Sequence, residues 1–268
     1  MGLFQFNNEE LLTFFAVLVR FATLFALLPI VGDRFVPAPV KVLLALTVTF
    51  MLFPILVKEG TIHPGDAMGW AATTGGIVKT VIAEMFVGLV LGFTAKLLFD
   101  AIHFGSNLVG NFMGFGMAST YDPHQETQTH VVAEIQMAVA TLGFLALDGH
   151  HLILTTAMDS YSWVGLGQAG VHGVMQMRLL EMTSQVILFG LQLAAPMALV
   201  LFAVNVAFGV FSKALPQLNV LVLSMGISAF VGLMVMFITE PEFQTAASSM
   251  LSRTDTWMHS MLLGMTGR

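Results

Sequence analysis

RFATLFALLPIVGDRFVPAPVKVLLALTVTFMLFP, residues 20–54, decides the fold class. Two apolar runs flank a short turn that carries Pro37 and Pro39. Extended outward, the first run covers residues 11–31, with Arg20 near its centre, and the second covers 40–57. Each is close to the roughly 20 residues that an α-helix needs to cross a hydrocarbon core. Proline removes a backbone donor and bends or ends a helix, so Pro29 and Pro54, near the ends of these runs, point to bent hairpins rather than straight rods.

The same pattern continues along the chain. Residues 75–99 form a third run that carries Lys79, Glu84 and Lys96, and 131–156 form a fourth, interrupted by Asp148, Gly149, His150 and His151. Residues 179–211 hold Pro196 inside them, 215–239 begin next to Pro216, and the tail, 240–268, is mixed and moderately amphipathic. No linker, low-complexity tract or repeat divides the chain, so a single domain, residues 1–268, is expected. The first ten residues carry acids and no base, whereas a secretory signal begins with a positive region; the first apolar run is therefore expected to be retained.

Composition agrees with this reading. The chain is 56% hydrophobic and 10% charged, with a mean hydropathy of +0.85, whereas soluble domains carry about 25% charged residues. The expected class is an all-α membrane protein. The ten Lys and Arg are scattered and the net charge is −6, which leaves no basic footprint for nucleic acid. The absence of cysteine excludes disulfides, thiolate metal sites and thiol catalysis. The eight histidines lack ligand spacing, and Ser106 and Ser160 lack the context of an activated nucleophile. No cofactor and no enzymatic activity are expected.

Charges inside apolar runs need partners, because each costs about 2.5–3.5 kcal/mol at a helix centre. Lys96 and Asp100 stand four residues apart, the spacing of a local helix pair. Glu84 has no opposite charge at that spacing and needs a distant partner; Arg20 is the expected one. The role of Arg20 itself stays open between a pair within the chain and one that faces a pore or a neighbouring subunit. Small-xxx-small pairs at Gly88/Gly92 and Gly110/Gly114 permit close helix approach.

One segment differs from the rest: GSNLVGNFMGFGMASTYDP, residues 105–123, is rich in Gly, Phe and Met and too short to span. A lipid-exposed irregular loop would leave backbone polar groups unsatisfied, so this segment must be buried in protein or line a cavity.

Three stretches, in order, resemble the FliR family, whose counterpart in virulence secretion systems is SctT. The first is residues 20–54, with Arg20, Pro29, Pro37 and Pro54. The second ends in MGFGMASTYDP, with Met113, Gly114, Ala118, Asp122 and Pro123. The third, residues 195–232, carries Pro196, Asn205, Pro216, Gln217 and Asn219. Lys213 stands where the pattern has Arg, and the loop HQETQTH (residues 124–130) is more polar than the pattern. The resemblance implies a FliP-like part followed by a FliQ-like helical hairpin, stacked into a hetero-oligomeric helical export gate with FliP and FliQ. It further implies association with FlhB and FlhA, a place in the bacterial inner membrane at the flagellar basal body, and passage of unfolded flagellar subunits. The family's plug loop falls at residues 105–121. There Phe112, Met113, Phe115 and Met117, on a backbone hinged at Gly110, Gly114 and Gly116, would seal a pore by dewetting it, and the soft Met side chains would deform around any arriving chain. Three other readings compete with a gate; one, an intramembrane enzyme, would need a convergent acid, base or metal constellation, and none is visible in the sequence. A secondary transporter also has broken helices and buried charges at mid-membrane, but no two-fold internal similarity occurs here. A purely structural scaffold for the gate would share this sequence.

Overall fold

Glu9 and Glu10 open the first helix, α1 (Asn8–Leu27), where negative charge complements the helix dipole. Its buried residues are Thr13, Ala16, Val17, Arg20, Phe21, Leu24 and Phe25, a stripe at the 3.6-residue period. The structure, a computed structural model, describes residues 7–29, 31–32, 36–115, 131–170, 173–214 and 219–266. Proline at the start of α2 (Ala38–Lys58) suits a position whose N–H would have no helical acceptor. A 3-10 turn (Pro64–Asp66) and the short α3 (Ala67–Trp70) lead into α4 (Thr74–Phe112). Then follow α5 (Val131–Ala146), α6 (Gly149–Trp163), α7 (Gly173–Ala214) and α8 (Val220–Thr266).

The protein is an all-α membrane protein. Five of the described helices, α1, α2, α4, α7 and α8, are long and apolar enough to cross a membrane, and α5 with α6 makes a sixth candidate if the pair counts as one span. The helix break between α5 and α6 falls at Leu147 and Asp148, and Asp148 adopts the left-handed region at φ 55°. This is where the sequence interrupts its fourth apolar run.

Helix lengths differ from the expected runs. α4 has 39 residues, α7 has 42 and α8 has 47, about twice a single span. α4 absorbs the first eight residues of the segment 105–123, which the sequence reads as irregular. α8 likewise runs through Pro241 and takes in the tail. Pro54 and Pro196 also lie inside continuous helices. Interior prolines are tolerated in membrane helices where neighbouring groups satisfy the freed carbonyls.

The residues group into two compact units. The first comprises Met1–Leu97, Asp148–Met182 and Ser252–Arg268. Its core includes Phe21, Leu24, Phe53, Leu56, Val87 and Leu91, with Met258, Met261 and Leu262 from the end of α8. Here α1 lies against α4 at bare glycine. A Cβ on Gly88 would collide with the Arg20 carbonyl oxygen and the Thr23 hydroxyl, and one on Gly92 would come within 2.9 Å of the Leu24 carbonyl oxygen. The second unit comprises Leu98–Leu147 and Thr183–Leu251. In it Gly105 and Gly190 bring α4 against α7: a Cβ on Gly105 would stand 2.5 Å from the Gly190 carbonyl oxygen.

Because the obstacle at Gly88 is backbone, Gly88→Ala is expected to force α1 off α4 and cost about 1–3 kcal/mol. Gly143, which has open space around its Cβ position, supplies the control: Gly143→Ala should leave the melting temperature in detergent unchanged or raise it slightly.

Candidate functional site

Two places in the molecule gather the singled-out residues. In the first unit, the Arg20 guanidinium meets the Glu84 carboxylate as a two-bond fork: Nε donates to Oε2 at 2.7 Å and Nη2 to Oε1 at 3.0 Å. Both side chains are at most 1% exposed. The remaining donors are also served. Nη1 donates to Ser160 Oγ at 2.8 Å, and Nη2 to the Val164 carbonyl oxygen at 3.2 Å. The guanidinium carbon sits 3.6 Å from the centre of the Tyr161 ring, a cation–π contact. Glu84 Oε1 accepts a further bond, 2.8 Å, from the backbone N–H of Gly167. Ser160 Oγ in turn donates to the Ala157 carbonyl oxygen at 2.6 Å.

Local sequence explains this convergence. Arg20 lies on the buried stripe of α1, and Glu84 lies one turn before Gly88, where α1 and α4 come close. Gly167 reaches φ 72°, a conformation glycine adopts without steric cost, and so turns its N–H toward the carboxylate. The pair is therefore internal to this chain. Ser160 is a position of weaker agreement with the family pattern, whereas the donor Gly167 carries no signal in the sequence, being a backbone amide. Lys96 is exposed and Asp100 half-buried on α4, and both have interaction partners.

In the second unit, the end of α4 is packed into an apolar core. Val109 and Met113 are buried with Val132, Ala194, Met197 and Leu201, and Phe112 and Phe115 pack half-buried against this cluster. The Met113 side chain fills the space that a Cβ on Gly232 would need. Gly114 takes φ 87° and stops the helix, its N–H bonded to the Asn111 carbonyl oxygen at 3.1 Å. Asn205 on α7 donates to the free Phe112 carbonyl oxygen at 3.2 Å and accepts from Ser228 Oγ of α8 at 3.2 Å. Asn219 caps the start of α8, accepting from the Val222 N–H at 3.5 Å. Gly110 is buried within α4.

Several of the singled-out residues, Gly116, Met117, Asp122, Pro123, Pro216 and Gln217, lie outside the described residues. Pro29 follows the end of α1, Pro37 precedes α2, and Pro54 and Pro196 are helix-interior. Among the described residues no three His, Asp or Glu side chains assemble into a metal site.

A sequence profile described as "Bacterial export proteins, family 1" matches residues 11–254. The chain belongs to this family, that of FliR. It is 28% identical over 236 residues to the flagellar biosynthetic protein FliR of Escherichia coli strain K12, covering 87% of each chain. It is 26% identical to the FliR of Pectobacterium carotovorum, covering 92% of this chain and 93% of that one. The FliR of Bacillus subtilis strain 168 is 23% identical, with 93% of this chain and 94% of the relative covered. This FliR-family chain is thus an integral membrane component of flagellar protein export.

Removing one member of a buried ion pair strands the other charge, at a cost of about 3–5 kcal/mol, while replacing both with apolar residues is often near neutral. Arg20→Met is therefore expected to abolish a stable fold in detergent, and Arg20→Met with Glu84→Met to restore most of it. Thermal unfolding of the two variants side by side measures the difference.

Proposed function

We propose that this chain is a gate subunit of the flagellar protein-export channel, and that the segment at residues 105–121 seals the pore it lines. The observation that carries the reading is the geometry at the end of α4. The helix stops at Gly114, Met113 is sunk into the core, and the Phe112 carbonyl is tied to α7 and α8 through Asn205 and Ser228. A segment with a rigid base and an apolar continuation, Phe115 to Met117, suits a plug that yields without its root moving. The anchor keeps the closing side chains in register, and the Gly residues at 114 and 116 let the backbone turn. Pore closure needs no chemistry from this chain, only apolar side chains close enough to exclude water.

The partners in this reading are FliP and FliQ as fellow gate subunits, with FlhB and FlhA as neighbouring export machinery. The cargo is unfolded flagellar subunits, and the site is the inner membrane at the basal body. Membership of the FliR family supports this. So do the exposed apolar side chains along α7 and α8, among them Leu199, Phe202, Phe230, Phe237 and Ile238, which exceed what one chain can hide from water and require lipid or protein cover. The two compact units act here as one functional domain spanning residues 1–268. No catalytic step and no cofactor is assigned to the chain.

The test replaces Phe115 and Met117 by Gly and measures solute and ion leak in cells that express the chain with its partners. Leak should rise while the assembled complex keeps its mass. Asn205→Ala, which frees the Phe112 carbonyl and removes the Ser228 acceptor, should raise leak less, because such bonds are worth about 0.5–1.5 kcal/mol each. A membrane as tight as wild type in the Phe115/Met117 variant would exclude the plug.

A further inference from the structure

Beside the Arg20–Glu84 pair, and still within the first unit, lies a polar cavity of about 710 Å³. Its walls come from the turn between α2 and α3, the first turns of α4, and the Gly165–Gln168 turn. Lys79 and Asp66 both line it. Among the described residues neither has an ion-pair partner. Trp70 also lines it, and its indole N–H is shielded from solvent with no acceptor among the described residues. The cavity thus brings an unpaired cation and an unpaired anion to one place.

The helix that supplies Lys79 continues as an apolar track. Ile82, Phe86 and Leu89 follow at i+3, i+7 and i+10, on the same side of α4 as Lys79. Ile82 is 56% exposed, Leu89 36%, and Phe86 half-buried. From Lys79 to Leu89 the helix rises about 15 Å, half of a hydrocarbon core of about 30 Å and hence the depth of one leaflet. Trp and Lys are the side chains that sit at the level of lipid headgroups, the indole ring amphipathic and the ammonium able to reach outward on its stem.

We propose that this cavity binds the headgroup of a zwitterionic phospholipid, a phosphoethanolamine, whose acyl chain runs along Ile82, Phe86 and Leu89. The phosphate accepts from the Lys79 ammonium, and the lipid ammonium meets the Asp66 carboxylate. The opposite charges in one cavity select this headgroup over a purely anionic one, which Asp66 would repel. The apolar track selects a lipid over free phosphate. The site does not depend on the export reading; it requires only that the chain lie in a membrane.

The experiment is native mass spectrometry of the full-length chain, delipidated in mild detergent and titrated with phosphatidylethanolamine or with phosphatidylglycerol of identical acyl chains. Wild type should retain one phosphatidylethanolamine at least about tenfold more tightly than phosphatidylglycerol, since charge-assisted hydrogen bonds contribute on that scale. Lys79→Ala should lose that binding by about the same factor and Asp66→Asn should erase the preference, whereas Lys58→Ala, a basic residue outside the cavity, should change neither. These positions are exposed, so the variants should fold. Equal binding of the two lipids by wild type, unchanged binding by Lys79→Ala, or displacement of the lipid by millimolar inorganic phosphate would each overturn the proposal.

Discussion

An arginine and a glutamate, buried and locked in a two-bond fork, set the terms for half of this molecule. Arg20 and Glu84 sit on helices that are far apart in sequence, and the geometry of the fork fixes the register of α1 against α4. Two charges taken out of water are stable only if every remaining donor and acceptor is served. That condition explains the position of α6 and the turn after it, which bring Ser160, the Val164 carbonyl and the Gly167 N–H to the pair and Tyr161 beneath the guanidinium. It also explains Gly88: a side chain one turn after Glu84 would hold α1 away and open the fork.

The second unit is organised on a different physical basis. Its core at the end of α4 is apolar, and the polar contribution is a short chain of bonds from Ser228 through Asn205 to the Phe112 carbonyl. Glycines again permit the approach of elements, at Gly105 against Gly190 and at Gly232 beneath Met113. The consequence is a helix that ends at a defined point with its last side chains anchored. In the export-gate reading, rigidity up to Gly114 is what allows the following apolar residues to close a pore reproducibly. The buried ion pair then has a complementary role, holding the other unit's helices without exposing charge to lipid.

Much of this was readable in the sequence, and the exceptions share a cause. The apolar runs marked the membrane helices, and the Asp148-Gly149 interruption marked the helix break. The lack of an opposite charge near Glu84 pointed to Arg20. The full lengths of α4 and α8 were not readable, because the glycines in 105–112 and the mixed tail after residue 239 read as interruptions, whereas the runs holding Pro54 and Pro196 read as continuous. At Gly105 the neighbouring backbone at Gly190 needs the glycine. Met113 read as a pore-facing side chain, whereas in this chain it is 1% exposed and packed on Gly232. Apolar character says that a side chain leaves water, not which surface it joins. The cavity near Lys79 was invisible for a related reason, since its lining comes from segments about ninety residues apart.

The central claim is that the exported chain passes the end of α4. A photo-crosslinking residue at position 115, in cells carrying an export substrate stalled by a folded C-terminal domain, tests this most directly. The account predicts a crosslink from position 115 to the unfolded part of the substrate, and none from position 237, whose phenylalanine lies on the exposed apolar surface of α8. Crosslinks from position 237 and none from 115 would place the conduit elsewhere and contradict the account.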